Sequence, residues 1–189
     1  MLTLYYSPGA SSLATHIALN EIGVPFELKL TSLGRKENRE PAYLAINPEG
    51  KVPTLVIDGR PLTEVAATLW YLARRHPEAG LLPQQGDVEA EARVISWMSF
   101  IAATIHPARR FGDERWREVF HLADQRLGRQ EWTVGRYSIA DIHLFRLYWR
   151  FVSTLRPPPG SYPNLGAHYD RMMARPAVKK TLEAESVAK

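Results

Sequence analysis

Asn47-Pro48-Glu49-Gly50-Lys51-Val52-Pro53 runs straight into Thr54-Leu55-Val56-Ile57 and then Asp58-Gly59. A glycine turn, an X-Pro pair, a four-residue strand and a hairpin turn are compressed into thirteen positions. In that setting a cis Val52-Pro53 bond would expose the main chain ahead of the proline to an extended, peptide-like ligand. An ordinary trans proline leading into an edge strand is the other reading of the same residues.

Toward the N-terminus, Leu2 to Tyr6 has strand character, Ser11 to Ile22 reads as a helix stopped by Gly23, and Phe26 to Leu30 reads as a second strand. The pattern is β-α-β. A short helix is expected around Pro41 to Ile46, and a strand after Asp58-Gly59 would complete a hairpin with Thr54 to Ile57. From Glu64 to Arg75, Val65, Leu69 and Leu72 keep helical spacing up to Pro77. The loop ending Leu81-Leu82-Pro83-Gln84-Gln85-Gly86 marks a boundary, giving domains 1–76 and 87–189 with 77–86 as the linker.

Beyond that loop the texture is helical throughout. Val94, Trp97, Met98, Ile101 and Ile105 form one apolar stripe, and Ile142, Phe145, Trp149 and Val152 another. Ser138-Ile139-Ala140-Asp141 has the form of a capping box, with Tyr137 and Ile142 in the staple positions. The Pro157-Pro158-Pro159-Gly160 run ends that helix, and further helices are expected from Pro163 and Pro176.

The 189 residues, 45% hydrophobic, suffice for a substantial core and contain no cysteine. Disulfides, cysteine metal sites and a protein thiol nucleophile are thereby excluded. Six histidines lack metal-ligand spacing, so no metal site is expected. The net charge of +4 suits an anionic ligand or solubility, but no basic block or RNA-binding signature supports nucleic-acid binding. Neither a signal peptide nor a membrane-length apolar run is evident, so a soluble, cytoplasmic chain is expected, with no membrane partner.

Three places could carry chemistry. Tyr6-Ser7-Pro8-Gly9-Ala10-Ser11-Ser12-Leu13 sets hydroxyls at a helix N-terminus, where free amides and the helix dipole stabilise an anion such as a thiolate. Ser11 or Ser12 as a plain N-cap is the alternative. In Leu62-Thr63-Glu64-Val65, Glu64 either pairs with a ligand's amino group or is a solvated first-turn acid. His106, beside Pro107, reads by itself as a helix-end histidine. Phe111, Tyr148 and Trp149 suit either an acceptor pocket or the core of a helical domain.

Taken in order, Tyr-Ser-Pro-Gly-Ala-Ser-Ser-Leu-Ala, Asn-Pro-Glu-Gly-Lys-Val-Pro-Thr-Leu, Leu-Thr-Glu and Ser-Ile-Ala-Asp resemble the glutathione transferases over essentially the whole chain, most nearly the bacterial beta type. The resemblance implies an α/β thioredoxin-like N-terminal domain followed by an all-α helical-bundle domain, a homodimer, and a cytoplasmic detoxification enzyme using glutathione as co-substrate. It also implies that Val52 exchanges main-chain hydrogen bonds with glutathione before a cis Pro53, while Glu64 and the Val65 amide hold the γ-glutamyl end. Arg35 and Lys51 would meet carboxylates. His106 would lie near the sulfur, with partner-subunit contacts from Ser99 and Thr104.

Two positions depart from that pattern. Ser11 stands where beta-type members typically carry cysteine, and Val65 where many members carry serine. The first removes glutaredoxin-like thiol exchange. The second removes a hydroxyl donor worth about 1–2 kcal/mol. The resemblance therefore implies a transferase in which the Ser11 hydroxyl, or else Tyr6 or Ser12, activates the glutathione thiol for attack on a small, partly apolar electrophile. A glutathione or ligand carrier of the same fold, without efficient chemistry, is the alternative.

Overall fold

The computed structural model describes residues 1–188. In chain order its elements are β1 (Leu2–Tyr6), α1 (Ser12–Ile22), β2 (Glu27–Leu30), α2 (Pro41–Leu44), β3 (Thr54–Ile57), β4 (Arg60–Thr63), α3 (Val65–Arg75), α4 (Val88–Phe100), α5 (His106–Ala108), α6 (Asp113–Leu127), α7 (Ile139–Leu155), α8 (Pro163–Ala174) and α9 (Pro176–Val187). They divide into two compact units, residues 1–76 together with the segment from Pro176 onward, and residues 77–175.

The first unit is a four-stranded sheet of order β2-β1-β3-β4, in which β1 and β2 are parallel and the other pairs antiparallel. Leu4, Leu13, Ile17, Leu55 and Leu69 are fully buried and fill the space between the sheet and the helices α1 and α3. Asp58 and Gly59 both take positive φ, 47° and 82°, as a two-residue hairpin turn with the twist of its strands requires. The Met1 ammonium pairs with the Asp58 carboxylate on the surface.

The sequence placed everything after 87 in one helical domain. The boundary at 76 coincides with the edge of the first unit, but α9 packs on α1 and so belongs to that unit. Ala177, Val178, Thr181 and Glu185 form its buried face, with Thr181 accepting from Asn20 at 2.9 Å. The helical texture of α9 gives no sign of which core it joins. Lys189, the last residue of the expected second domain, lies outside the described residues.

In the second unit, α7 is the central helix. The sequence assigned it a stripe of Ile142, Phe145, Trp149 and Val152, yet every residue from Ile139 to Tyr148 is buried, while Trp149 and Val152 are only half-buried. Trp116, Phe120, Tyr148, Phe151 and Tyr162 pack edge to face or tilted, joining α6 to α7. Tyr148 is thus a core residue, and Phe111 is exposed.

The expected capping box forms at the start of α7. Asp141 does more than close it, because its carboxylate accepts from the Ser138 amide (2.9 Å), the Ser138 hydroxyl (3.0 Å) and the Thr133 amide (2.8 Å), and meets His168 Nε2 at 3.1 Å. Buried Asp124 similarly takes the Leu165 amide at 2.8 Å at the start of α8. After α4, Ile101–Ile105 winds as a π turn, with the His106 amide reaching back to the Ile101 carbonyl. Pro107 has no amide to continue regular α winding there.

Candidate functional site

Register brings the three candidate segments of the first unit to one end of its sheet. Tyr5 lies opposite Thr54, and Thr54 opposite Thr63. The chain therefore leaves β1 into Ser7–Ser11, enters β3 through Val52-Pro53 and leaves β4 into Glu64, all at the same end. Strands about 4.8 Å apart make this row roughly 10 Å wide, close to the reach of an extended tripeptide. Parallel β2 ends there too, since Tyr6 pairs with Leu30 and Thr31 donates to the Tyr6 carbonyl at 2.8 Å.

Val52-Pro53 is cis. Val52 is buried, and its amide and carbonyl find no partner among the described residues. Main-chain groups left in that condition take water or a ligand. The turn before them is braced from several directions. Asn47 Nδ2 donates to the Lys51 carbonyl (2.9 Å) and Thr54 Oγ1 (3.0 Å), the Tyr43 hydroxyl also reaches the Lys51 carbonyl, and Asn38 Nδ2 donates to the Gly50 carbonyl (2.7 Å). Gly50 has φ +60°, and a Cβ there would come within 2.7 Å of the Asn38 carbonyl, so only glycine fits.

The two adjacent serines have different surroundings. Ser12 is fully buried, and its hydroxyl accepts from the Ser7 amide (3.1 Å) and donates to the Ser7 carbonyl (3.2 Å). Ser11 is half-buried at the N-terminus of α1, and its hydroxyl has no partner among the described residues. Tyr6 is buried with its ring edge-on to His16, and its phenol pKa is raised by burial and then by the Glu185 charge.

Glu185 of α9 closes the back of this loop. Its carboxylate accepts from the half-buried Gly9 amide at 2.8 Å and meets buried His16 Nδ1 at 3.0 Å. Sequence reasoning missed Glu185, His16, Asn47 and Tyr43 as supports. Asn47 stood in the decisive stretch, whereas nothing local marks Glu185.

Glu64 sits exposed before α3 with φ +66°, a conformation non-glycine residues seldom adopt. Val65 begins α3, so its amide is one of the helix's unshared first donors. Thr15 and Thr68 hydroxyls meet at 2.8 Å and tie α1 to α3. Arg35 and Lys51 are exposed and paired with Glu37 (2.8 Å) and Glu49 (2.6 Å). His106, exposed at the end of the π turn, Ser99, exposed on α4, and half-buried Thr104 lie in the second unit. Among the described residues there is no cluster of three or more metal-ligating side chains, and no helix is long and apolar enough to cross a membrane.

Known proteins share this architecture. Residues 10–75 match the glutathione S-transferase N-terminal domain family and residues 109–176 its C-terminal domain counterpart. Glutathione S-transferase GstA of Escherichia coli is 33% identical over 204 aligned residues, covering 98% of this chain and 100% of that protein. A sphingomonad glutathione S-transferase solved in complex with glutathione superposes with a TM-score of 0.88 at 34% identity, over 98% of this chain and 99% of its own. A beta-class transferase from Sphingomonas chungbukensis gives 0.87 at 33% identity, again over 98% and 99%.

Proposed function

The chain belongs to the glutathione S-transferase family, and from that premise we propose how its own residues bind and activate glutathione. It is a glutathione transferase. The observation that carries the mechanism is the Ser11 hydroxyl at the start of α1, without a partner among the described residues, at the same sheet end as the Val52 main chain, likewise without one.

In this reading glutathione lies across the sheet end, its cysteinyl part paired with Val52 beside cis Pro53. Glu64 receives the γ-glutamyl ammonium, and the Val65 amide its carboxylate. Arg35 and Lys51 attract the carboxylates. The thiol then sits before α1, where Ser11 donates to sulfur.

A free thiol has a pKa of about 8.5, and lowering it by about 2 units needs roughly 2.7 kcal/mol of preferential thiolate stabilisation. One charge-assisted hydrogen bond contributes about 1.5–3 kcal/mol, and the helix N-terminus adds to it. Ser11 is preferred over Ser12, whose hydroxyl is engaged with Ser7, and over Tyr6, which is packed against His16. The thiolate attacks a small, partly apolar electrophile, and His106 assists from the helical unit. Detoxification in the cytoplasm as a homodimer, with Ser99 and Thr104 reaching the partner's ligand, completes the proposal.

Calorimetric titration with glutathione, paired with thiolate absorbance across pH, tests it. Saturable binding with a lowered thiol pKa is expected. Ser11→Ala should reduce kcat/KM roughly tenfold to a hundredfold and raise that pKa. Full turnover by this variant would remove Ser11 from the mechanism, and binding without a pKa shift would favour a carrier.

A further inference from the structure

An open pocket, rimmed by exposed Arg93, Ser96, Arg126 and Gln130 over buried Trp97 and Thr133, lies on the helical unit. It has a volume of about 250 Å³ and is lined by Arg93, Ser96 and Trp97 of α4, Arg126 of α6, and Gln130, Thr133 and Val134 of the loop that follows. The glutathione mechanism uses none of these residues.

Arg126 stacks against two rings and a hydroxyl. Its guanidinium lies 4.6 Å from the Trp97 ring centroid and 4.7 Å from that of Phe100, and it donates to Ser96 Oγ at 2.8 Å. It has no acidic partner among the described residues. Its side chain is exposed, and the desolvation it undergoes against the two rings lowers its pKa from the ordinary arginine value. Ser96 accepts from Arg126 and so keeps its own proton to donate into the cavity. Among the described residues Arg93 pairs with exposed Glu89 one helical turn away, a surface contact of small net worth that an incoming anion can displace. The Gln130 amide adds further donor capacity.

We propose that this cavity binds a small oxyanion, a carboxylate or phosphate group held between Arg126 and Arg93 with the Ser96 hydroxyl as a third donor. The guanidinium fork suits such an anion, and the two rings keep it from collapsing onto the surface. The volume is below the roughly 300–1,000 Å³ of pockets for drug-sized ligands, which limits the occupant to a small molecule or a single head group.

The test uses the full chain saturated with glutathione, so that carboxylate-binding groups at the sheet end are already occupied. Inorganic phosphate and benzoate are titrated separately by calorimetry. Saturable binding of either, at one site per chain, is expected; phosphate alone would assign an inorganic or phosphoryl group, and benzoate alone an organic carboxylate. Arg126→Gln should weaken binding roughly tenfold to a hundredfold and Arg93→Gln by less, with Arg126→Lys between them, while glutathione turnover stays unchanged. Should Arg126→Gln fail to fold, exposed Arg93→Gln carries the comparison. Absence of saturable binding by both probes, or equal affinity in the arginine variants, overturns the assignment. The titration needs no turnover, so it stands or falls separately from the transferase mechanism.

Discussion

Two buried carboxylates organise the two units, and they differ in how far they reach along the chain. Asp141 collects donors from Thr133, Ser138 and His168 around the start of α7. Glu185 reaches from α9 to the Gly9 amide and His16, 176 and 169 residues away. Each accepts hydrogen bonds from groups that are buried or half-buried, and leaving a buried donor unpaired is costly. Asp141 secures a helix start inside a core, while Glu185 secures the loop that leads to the proposed thiol activator. The comparison teaches that one chemical device can serve stability in one place and positioning in another, according to what its donors belong to.

Asp141→Ala should cause the largest loss. It strands several buried donors at once, and a destabilisation of about 3–5 kcal/mol is expected, lowering the melting temperature by roughly 10 °C. Glutathione binding measured well below that temperature should survive. If melting is unchanged, Asp141 is not the organiser of its unit.

Glu185→Ala should break the comparison in the other direction. A stability loss of about 2–3 kcal/mol is expected from the Gly9 amide and His16, accompanied by a raised glutathione thiol pKa and a fall in kcat larger than any change in KM. Glu185→Gln keeps an acceptor for Gly9 and should recover most of the thiolate. Equal thiol titration in all three proteins would make Glu185 a purely structural residue.

The histidines sharpen the contrast. His16 and His168 each meet a carboxylate, whereas buried His143 has no carboxylate partner among the described residues, its pKa pushed down to about 3 by burial, then by the charges of Arg146 and His106. An unfolded histidine titrates near 6.5, so between that pH and 3 the unfolded chain binds the extra proton. Stability should therefore fall as pH drops below about 6.5, by at most about 1.4 kcal/mol per pH unit from this group. Urea unfolding across that range should show a shallower slope for His143→Gln.

The smallest effect is expected at Ser12→Ala, about 1 kcal/mol of stability from its bonds to Ser7, with the glutathione thiol pKa unmoved. A raised thiol pKa in this variant would reverse the assignment of the two serines.

Much of the first unit was legible because its signals are local. The glycine turn, Val52-Pro53, Asp58-Gly59 and the hydroxyls before α1 each act within a few residues, and strand register then brings them together. The capping box of α7 was legible for the same reason. Helix α6 was not anticipated, although Trp116, Val119, Phe120, Ala123 and Leu127 recur at helical spacing on its buried side. Its charged outer face and isolated large rings diluted the stripe. That the Ser12 hydroxyl is engaged with Ser7 was not legible, because a hydroxyl's partner depends on how the preceding loop folds back. Glu185 was illegible in principle, since no spacing rule joins it to Gly9.

The placement of α9 bears on the order in which the protein is made. The ribosome delivers β1 to α3 before residues 77–175, and the helix that covers α1 and supplies Glu185 after them. Residues 77–175 form an uninterrupted stretch and can complete their core while synthesis continues. The first unit therefore cannot gain the Glu185 contacts to Gly9 and His16 until α9 has been made.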